Sequence, residues 1–265
     1  MDQMRVAVAQ GAAKPADLEA NAETALRLIA AARGRDADLV VLPELFLCGY
    51  DLETLASAGG KAAVTLDHVL VRRLRLACAE HRVSAVIGAC IQRPLGLANS
   101  ALVIDRSGAI VDVYDKANLW AAERVLFTAG NRLSILELAG FRVGVAICYD
   151  AGFPEHFRAL TLRGAEVIVC PSAFALGDEQ RRYRMYFPMR ALENTVYVAV
   201  SNLSGSGSSG EFFGESAVYD PAGRMVAAAG REEGIVVAEV SRERIAEIRK
   251  ELRYLEHRRP EVYSS

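Results

Sequence analysis

Twice along this chain an apolar run opening on Arg-Val leads, through a stretch of helical periodicity, to a second apolar run closed by proline. "RVAVAQ" from Arg5 is followed by "ADLVVLPE" from Ala37, and "RVGVAIC" from Arg142 by "AEVIVCPS" from Ala165. Short apolar runs without polar alternation belong to strands buried on both faces, as in a parallel sheet covered by helices. Two copies of strand–helix–strand predict an α/β protein, either with duplicated halves related by a pseudo-twofold axis or with two βαβ units that merely look alike. Glu44 and Cys148 then fall at the C-terminal ends of strands, the edge where ligand sites collect in such sheets.

The remaining pattern extends this alternation. Strands are expected over Met4–Gln10, Leu39–Leu42, Val83–Gln92, Val167–Cys170 and Thr195–Asn202. Helices are expected over Asp17–Arg33, Val64–His81, from Pro154 onward, and over Asp178–Asn194. Pro188 lies inside the last of these and is expected to kink or divide it. Hairpins are expected over Ser100–Asp115, Leu133–Cys148 and Glu215–Ala229, with turns at Asp105–Gly108, Ala139-Gly140 and Asp220–Gly223. "SGSGSSGEFFGES", from Ser204 to Ser216, reads as a mobile loop with Phe212 or Phe213 as an apolar wall over a pocket. A last helix starts near Ser241, a suitable N-cap, and presents Ile245, Ile248, Leu252 and Leu255 on one face.

Composition excludes several classes. The 265 residues are 52% hydrophobic and 24% charged, enough for one large domain over 1–265. The 31 basic residues are balanced by 33 acidic ones along the chain, without the basic footprint of a nucleic-acid binder. No apolar run approaches the roughly 20 residues that span a bilayer, and Met1–Met4 carries no signal-peptide pattern. A cytoplasmic protein with neither membrane nor nucleic-acid partner is expected. The five cysteines (48, 78, 90, 148 and 170) and four histidines (68, 81, 156 and 257) are scattered without C-x-x-C or ligand spacing. Neither a disulfide framework nor a metal site is expected from them.

Cysteine is among the most buried residue types, so Cys78 in a helix and Cys90 and Cys170 in strands read as core fillers. Cys48 sits in a loop near Glu44. Cys148 differs because a turn and a helix start follow it, so it is either a packed thiol or a nucleophile held at a strand end. A free thiol has a pKa of about 8.5 and is mostly protonated at neutral pH; a neighbouring base would have to remove its proton during attack. Glu44 closes "LVVLPE" and Lys116 closes "IVDVYDK". Each is, taken singly, either an ordinary surface charge or part of a site.

In order, "VVLPELFLCGY" from Val40, "YDKANLWAAERVLFTAG" from Tyr114 and "VAICYDAGFPEHFRAL" from Val145 resemble the glutamate, lysine and cysteine signatures of the nitrilase superfamily, the carbon–nitrogen hydrolases. "PMRALENTVYVAVSN", "GESAVYDPAGRMVA" and "RRPEVY" are similar to the family's downstream blocks, so the resemblance runs from Val6 to about Tyr263. It implies a four-layer α-β-β-α sandwich and a triad of Glu44 as general base, Lys116 as electrostatic stabiliser and Cys148 as nucleophile. Glu123, in "ERVLF", matches a second family glutamate that orients the lysine and the substrate. Lys116 and the backbone N–H of Tyr149 would meet the developing oxyanion. No metal or organic cofactor is implied. A homodimer or higher homo-oligomer is, with the segment from about 241 to 265 as a candidate for its interface.

The expected reaction is hydrolysis of a small linear amide to acid and ammonia through a thioester. Tyr50, Gly152, Phe174 and Phe212 are the expected pocket lining. Ala151 and Gly152 after the cysteine bring no charge, and Tyr149-Asp150 stands where true nitrilases carry tryptophan and glutamate, which favours amides over nitriles. Arg181, Arg182 and Arg184 lie on one helix, either as a solvated or interface face or with one of them reaching a substrate carboxylate. An N-carbamoyl amidohydrolase is the alternative with the same triad, and a catalytically idle binding module the alternative of another class. A papain-like protease would need His156, which follows Cys148 too closely along the chain, as its base.

Overall fold

The computed structural model describes residues 2–207 and 210–263. The first half runs β1 (Gln3–Gln10), α1 (Leu18–Arg33), β2 (Leu39–Val41), α2 (Leu52–Ala58), α3 (Val69–His81), β3 (Ser84–Arg93), β4 (Gly96–Ile104), β5 (Ile110–Asp115) and α4 (Glu123–Leu126). Next come β6 (Ser134–Leu138), β7 (Phe141–Val145), α5 (Pro154–Leu162), β8 (Val167–Ser172), α6 (Asp178–Asn194) and β9 (Tyr197–Asn202). The chain closes with β10 (Ser204–Gly207), β11 (Gly210–Phe213), β12 (Ala217–Tyr219), β13 (Met225–Ala228), β14 (Gly234–Ser241), α7 (Arg242–Glu251) and α8 (Pro260–Tyr263).

Two six-stranded sheets result, ordered β14-β1-β2-β3-β4-β5 and β13-β12-β9-β8-β7-β6. Read from β14 and from β6, each has an antiparallel edge strand, then three parallel strands, then an antiparallel pair. The echoed sequences occupy matching places: Val6 is opposite Leu39 in one sheet, and Val143 is opposite Val167 in the other. The duplicated α/β architecture expected from the sequence is borne out.

The pleat sends alternate side chains to opposite faces, which sorts the apolar runs into layers. Val6, Val8, Leu39 and Val41 pack between the sheets with Val143 and Val167. Their neighbours Ala7, Ala9, Val40 and Leu42 pack with Leu28 and Ile29 of α1 and Leu74 of α3. Phe157 and Leu160 of α5 and Phe187 and Ala191 of α6 complete the core of the second half. The four layers are helix, sheet, sheet, helix.

Several expectations change. Helix α3 starts at Val69, where His68 Nδ1 accepts the Leu70 N–H at 3.3 Å, while Val64 instead pairs with Ile91 as an isolated bridge. Helix α6 runs undivided through Pro188, because its buried face of Tyr183, Phe187, Arg190 and Ala191 is held by the core on both sides of the proline. Helix α7 ends at Glu251, so Ile245 and Ile248 are buried while Leu252 and Leu255 lie beyond it, half-buried. The Ser204–Ser216 stretch carries the antiparallel pair β10–β11, with Phe212 and Phe213 buried; Ser208 and Ser209 lie outside the described residues. The loop after β2 contains α2, capped by Asp51 Oδ1 accepting the Thr54 N–H at 2.9 Å.

One glycine shows how tightly the sheet grips the next segment. A Cβ on Gly88 of β3 would lie 2.1 Å from the Pro43 carbonyl oxygen and 2.7 Å from Glu44 Cα, so the turn after β2 rests directly on the strand. Gly88→Ala is expected to cost about 1–3 kcal/mol by overpacking. Gly230→Ala, where nothing lies within 4 Å, should stay within about 0.5 kcal/mol. Denaturant unfolding of the two variants against the native chain checks this.

Candidate active site

The C-terminal ends of β2, β5 and β7 bring Glu44, Lys116 and Cys148 to one edge of the sandwich. After β2, Leu42 N–H still pairs with Val86 O, then Pro43 ends the strand and the Glu44 N–H reaches across to Ser172 O of the other sheet at 3.3 Å. Lys116 prolongs the β4–β5 ladder, donating its N–H to Asn99 O at 2.8 Å. Its side chain therefore shares a face with Tyr114, and both point between the sheets. Cys148 opens a 3₁₀ turn over Cys148–Gly152 immediately after the buried Ala146-Ile147.

Glu44, Lys116 and Glu123 are all 0% exposed, whereas Cys148 at 9% borders a cavity. Lys116 Nζ donates to Glu44 Oε1 at 2.7 Å and to Glu123 Oε1 and Oε2 at 2.9 and 2.8 Å. Asn99 Nδ2 donates to Glu44 Oε1 at 2.7 Å and to Glu123 Oε1 at 3.3 Å. Tyr50 Oη and the Trp120 N–H each complete Glu123 at 2.8 Å. Glu44 Oε2 is buried with no hydrogen-bond partner among the described residues.

Burial sets the protonation chemistry. It pushes the Glu44 carboxyl up to about 7, against the opposing pull of the Lys116 ammonium. Burial alone would lower Lys116, but the two flanking carboxylates outweigh it and hold the ammonium above its ordinary value. Burial and then the Glu44 charge raise the Cys148 thiol well above its usual range, although Lys116 and the Ala173 N–H on the sulfur oppose them. The resting pair is thus a protonated thiol and a carboxyl that titrates near neutrality.

The elbow is held by Asp150, whose carboxylate is fully buried. Its Oδ2 accepts the Ile147 N–H at 2.9 Å and the Tyr114 hydroxyl at 2.8 Å, and its Oδ1 accepts the Asn118 N–H at 3.0 Å and Nδ2 at 2.8 Å. One carboxylate thereby ties the cysteine turn to the segment following Lys116. Three non-glycine residues with left-handed backbone flank the site: Leu45, Ala121 and Cys148, at φ 48°, 32° and 42°. Such strain costs about 1–3 kcal/mol each and persists where surrounding contacts enforce it.

The cavity above the thiol measures about 120 Å³ and is lined by Tyr50, Trp120, Tyr149, Phe174, Arg182 and Tyr186, among others. Of the expected lining, Tyr50 and Phe174 reach it. Gly152 does not, because the Tyr149 ring and the Tyr186 hydroxyl stand in front of it, each 3.9 Å from where a Cβ would be. Phe212 also stays behind the wall, its ring packed edge-on to Tyr50 at 5.9 Å. Of the three arginines, Arg182 lines the cavity, Arg184 is bound to Glu215 at 2.9 Å, and Arg181 is exposed. His156 is buried against Tyr114 at 3.5 Å. Sequence reasoning missed Asn99, Trp120 and Asp150. Asn99 had a usable signal, a polar residue in the middle of the apolar run "LANSALVI".

A strand-end thiol beside a dry carboxylate–ammonium cluster, on two duplicated α/β halves, is the equipment of a cysteine hydrolase. Residues 5–250 match the family model described as Carbon-nitrogen hydrolase. The chain is 34% identical over 235 residues to the 2-oxoglutaramate amidase of Bacillus subtilis (strain 168), covering 86% of this chain and 88% of that protein. It is 31% identical over 261 residues to the (R)-stereoselective amidase of Pseudomonas sp., covering 97% and 92%. Among solved structures, the amidase from Nesterenkonia sp. AN1 is similar with a TM-score of 0.86 and 29% identity, covering 99% of this chain and 96% of that one. That structure is a glutamate-to-glutamine variant with the acetamide moiety of fluoroacetamide added covalently at the active-site cysteine. This chain belongs to the carbon–nitrogen hydrolase family, as its sequence signatures suggested.

Asp150→Ala leaves the Ile147 and Asn118 N–H groups without their acceptor. It is expected to lose about 2–4 kcal/mol of stability and to slow alkylation of Cys148 by iodoacetamide. Parallel denaturation and mass-spectrometric labelling measure both, and Asp150→Asn should recover part of each.

Proposed function

We propose that this protein hydrolyses a small linear amide to the carboxylic acid and ammonia, with Cys148 as nucleophile, Glu44 as general base and Lys116 and Glu123 as its electrostatic frame. One observation carries the reading. The unpartnered Glu44 Oε2 and the protonated Cys148 thiol belong to a cluster closed to water except where Cys148 borders the small cavity. A base near neutrality beside a thiol that does not ionise by itself is suited to removing the proton during attack. The names and trapped adducts of the relatives support the same class of reaction.

The steps follow from these groups. Glu44 takes the thiol proton as Cys148 Sγ bonds to the carbonyl carbon, and the charge on oxygen is met by Lys116 and the Tyr149 N–H. Glu44 then delivers that proton to nitrogen, the carbon–nitrogen bond breaks, and ammonia leaves a thioester. A water enters, gives a proton to Glu44 and adds its oxygen to the carbonyl. The carbon–sulfur bond breaks, the acid departs, and the proton returns to the sulfur. Glu123 holds Lys116 in place throughout.

The wider setting belongs to the same proposal. Five free thiols suit the reducing cytoplasm, and residues 1–265 act as one catalytic domain. No helix among the described residues is long and apolar enough to cross a membrane. The enzyme works as a homodimer or higher homo-oligomer, with exposed Tyr254 and Val262 of the 241–265 segment placed in its interface.

Two outcomes test the chemistry. Cys148→Ala should abolish ammonia release from butyramide. Glu44→Gln should lose at least about 10³-fold in kcat yet still gain the mass of one acetamide on Cys148 from fluoroacetamide. For pH, the active base is the ionised Glu44, so kcat/KM should fall on the acid side with a midpoint near the raised value of about 7. Lys116→Met removes the charge that opposes this rise, so in any residual activity the limb should move to higher pH. An acid limb centred at an ordinary carboxyl value would overturn the assignment of the base.

A further inference from the structure

The cavity has two chemically different ends. The Cys148 thiol stands at one, and Leu52, Ala121, Ala122 and Ala173 supply apolar wall. Arg182 and Glu179 are the charged side chains among its other lining residues. Glu179 Oε2 is taken by the Ala175 N–H at 2.9 Å, and its Oε1 faces Arg182 Nη2 at 3.9 Å, beyond hydrogen-bond reach. Among the described residues no oxygen accepts a hydrogen bond from the Arg182 guanidinium, although its side chain is only 31% exposed. It is held instead over the Trp120 ring, 5.7 Å from the centroid. Trp120 is itself fixed, its ring edge-on to Tyr149 at 4.8 Å and its N–H on Glu123.

A guanidinium offers five donors in a planar fork that matches a carboxylate. Here the fork is oriented by an aromatic shelf and lacks an acceptor, a state of pre-organisation that favours a ligand bringing one. A cationic ligand is disfavoured at the same spot, because Glu179 is partly engaged and Arg182 lies beside it. We infer that Arg182 is a carboxylate subsite, so that the preferred substrates are short linear amides whose far end is a carboxylate, the half-amides of dicarboxylic acids. This rests on the amidase reading above and names its substrate class.

The experiment compares kcat/KM for succinamate, butyramide and γ-aminobutyramide, which differ mainly in the charge at the far end. The native enzyme should prefer succinamate by at least about tenfold. In Arg182→Gln the succinamate-to-butyramide ratio should fall about 10- to 100-fold, the value of a charge-assisted pair. Arg182→Lys, which keeps the charge and loses the fork, should lie between them. A ratio unchanged in Arg182→Gln, or a native preference for either of the other amides, overturns the subsite. If no amide gives Cys148-dependent ammonia, the amidase reading fails separately. Calorimetric binding of succinamate to Cys148→Ala, with and without Arg182→Gln, still decides: binding that needs the arginine supports the subsite, and binding absent or indifferent to it does not.

Discussion

The structure turns on one buried ammonium. Taking Lys116 out of water costs several kcal/mol, and each carboxylate beside it costs a comparable amount. Their mutual attraction offsets this only at close range and with the remaining oxygens satisfied. Lys116 Nζ meets three carboxylate oxygens at 2.7–2.9 Å, and Asn99, Tyr50 and the Trp120 amide donate to those same three, leaving Glu44 Oε2 without a partner among the described residues. The cluster can exist only if the ends of β2, β4 and β5 and the start of α4 arrive together. That convergence is what the first sheet supplies. Removing either carboxylate would leave a buried charge uncompensated, which typically costs about 3–5 kcal/mol.

The thiol comes from the other sheet, so alignment of the Glu44 carboxyl and the Cys148 thiol depends on how the two sheets dock. Valines of both sheets pack in one core, the Glu44 N–H donates to Ser172 O across the gap, and Tyr114 of one sheet donates to Asp150 in the turn that follows β7 of the other. These polar links are buried, where an unmade hydrogen bond is expensive. Small sliding of one half on the other is therefore resisted at the points that matter for proton transfer. The same burial that raises Glu44 raises Cys148, so the thiol holds its proton at rest while the neighbouring carboxyl titrates near neutrality.

Much of this was legible in the chain. Unbroken apolar runs, two of them closed by proline, located β1, β2, β7 and β8, and three short blocks carried Glu44, Lys116, Glu123 and Cys148. The rest depended on register between distant strands. Asn99 matters because it sits opposite Lys116 in the β4–β5 ladder, and Asp150 because it faces the segment after Lys116; neither adjacency exists in one dimension. Phe212 and Gly152 failed as lining for a related reason. A bulky or small residue near a site contributes to its wall only if nothing else stands in front of it, and here Tyr50, Tyr149 and Tyr186 do. The choice among Arg181, Arg182 and Arg184 was likewise a matter of helix phase against a partner, with Glu215 holding the third.

Trp120 joins these separate parts. Its amide donates to Glu123, its ring meets Tyr149 next to Cys148, and Arg182 lies over that ring. The next residue, Ala121, is held in left-handed backbone at φ 32°, so the segment is bent to make these contacts and not merely resting there. A ligand that pulls on Arg182 therefore acts on a shelf whose backbone is hydrogen-bonded to the carboxylate holding Lys116. Specificity at the mouth and charge placement at the floor share one rigid connector. Aromatic and hydrogen-bond contacts of this kind hold position without adding a charge that would disturb the Glu44 and Cys148 equilibria.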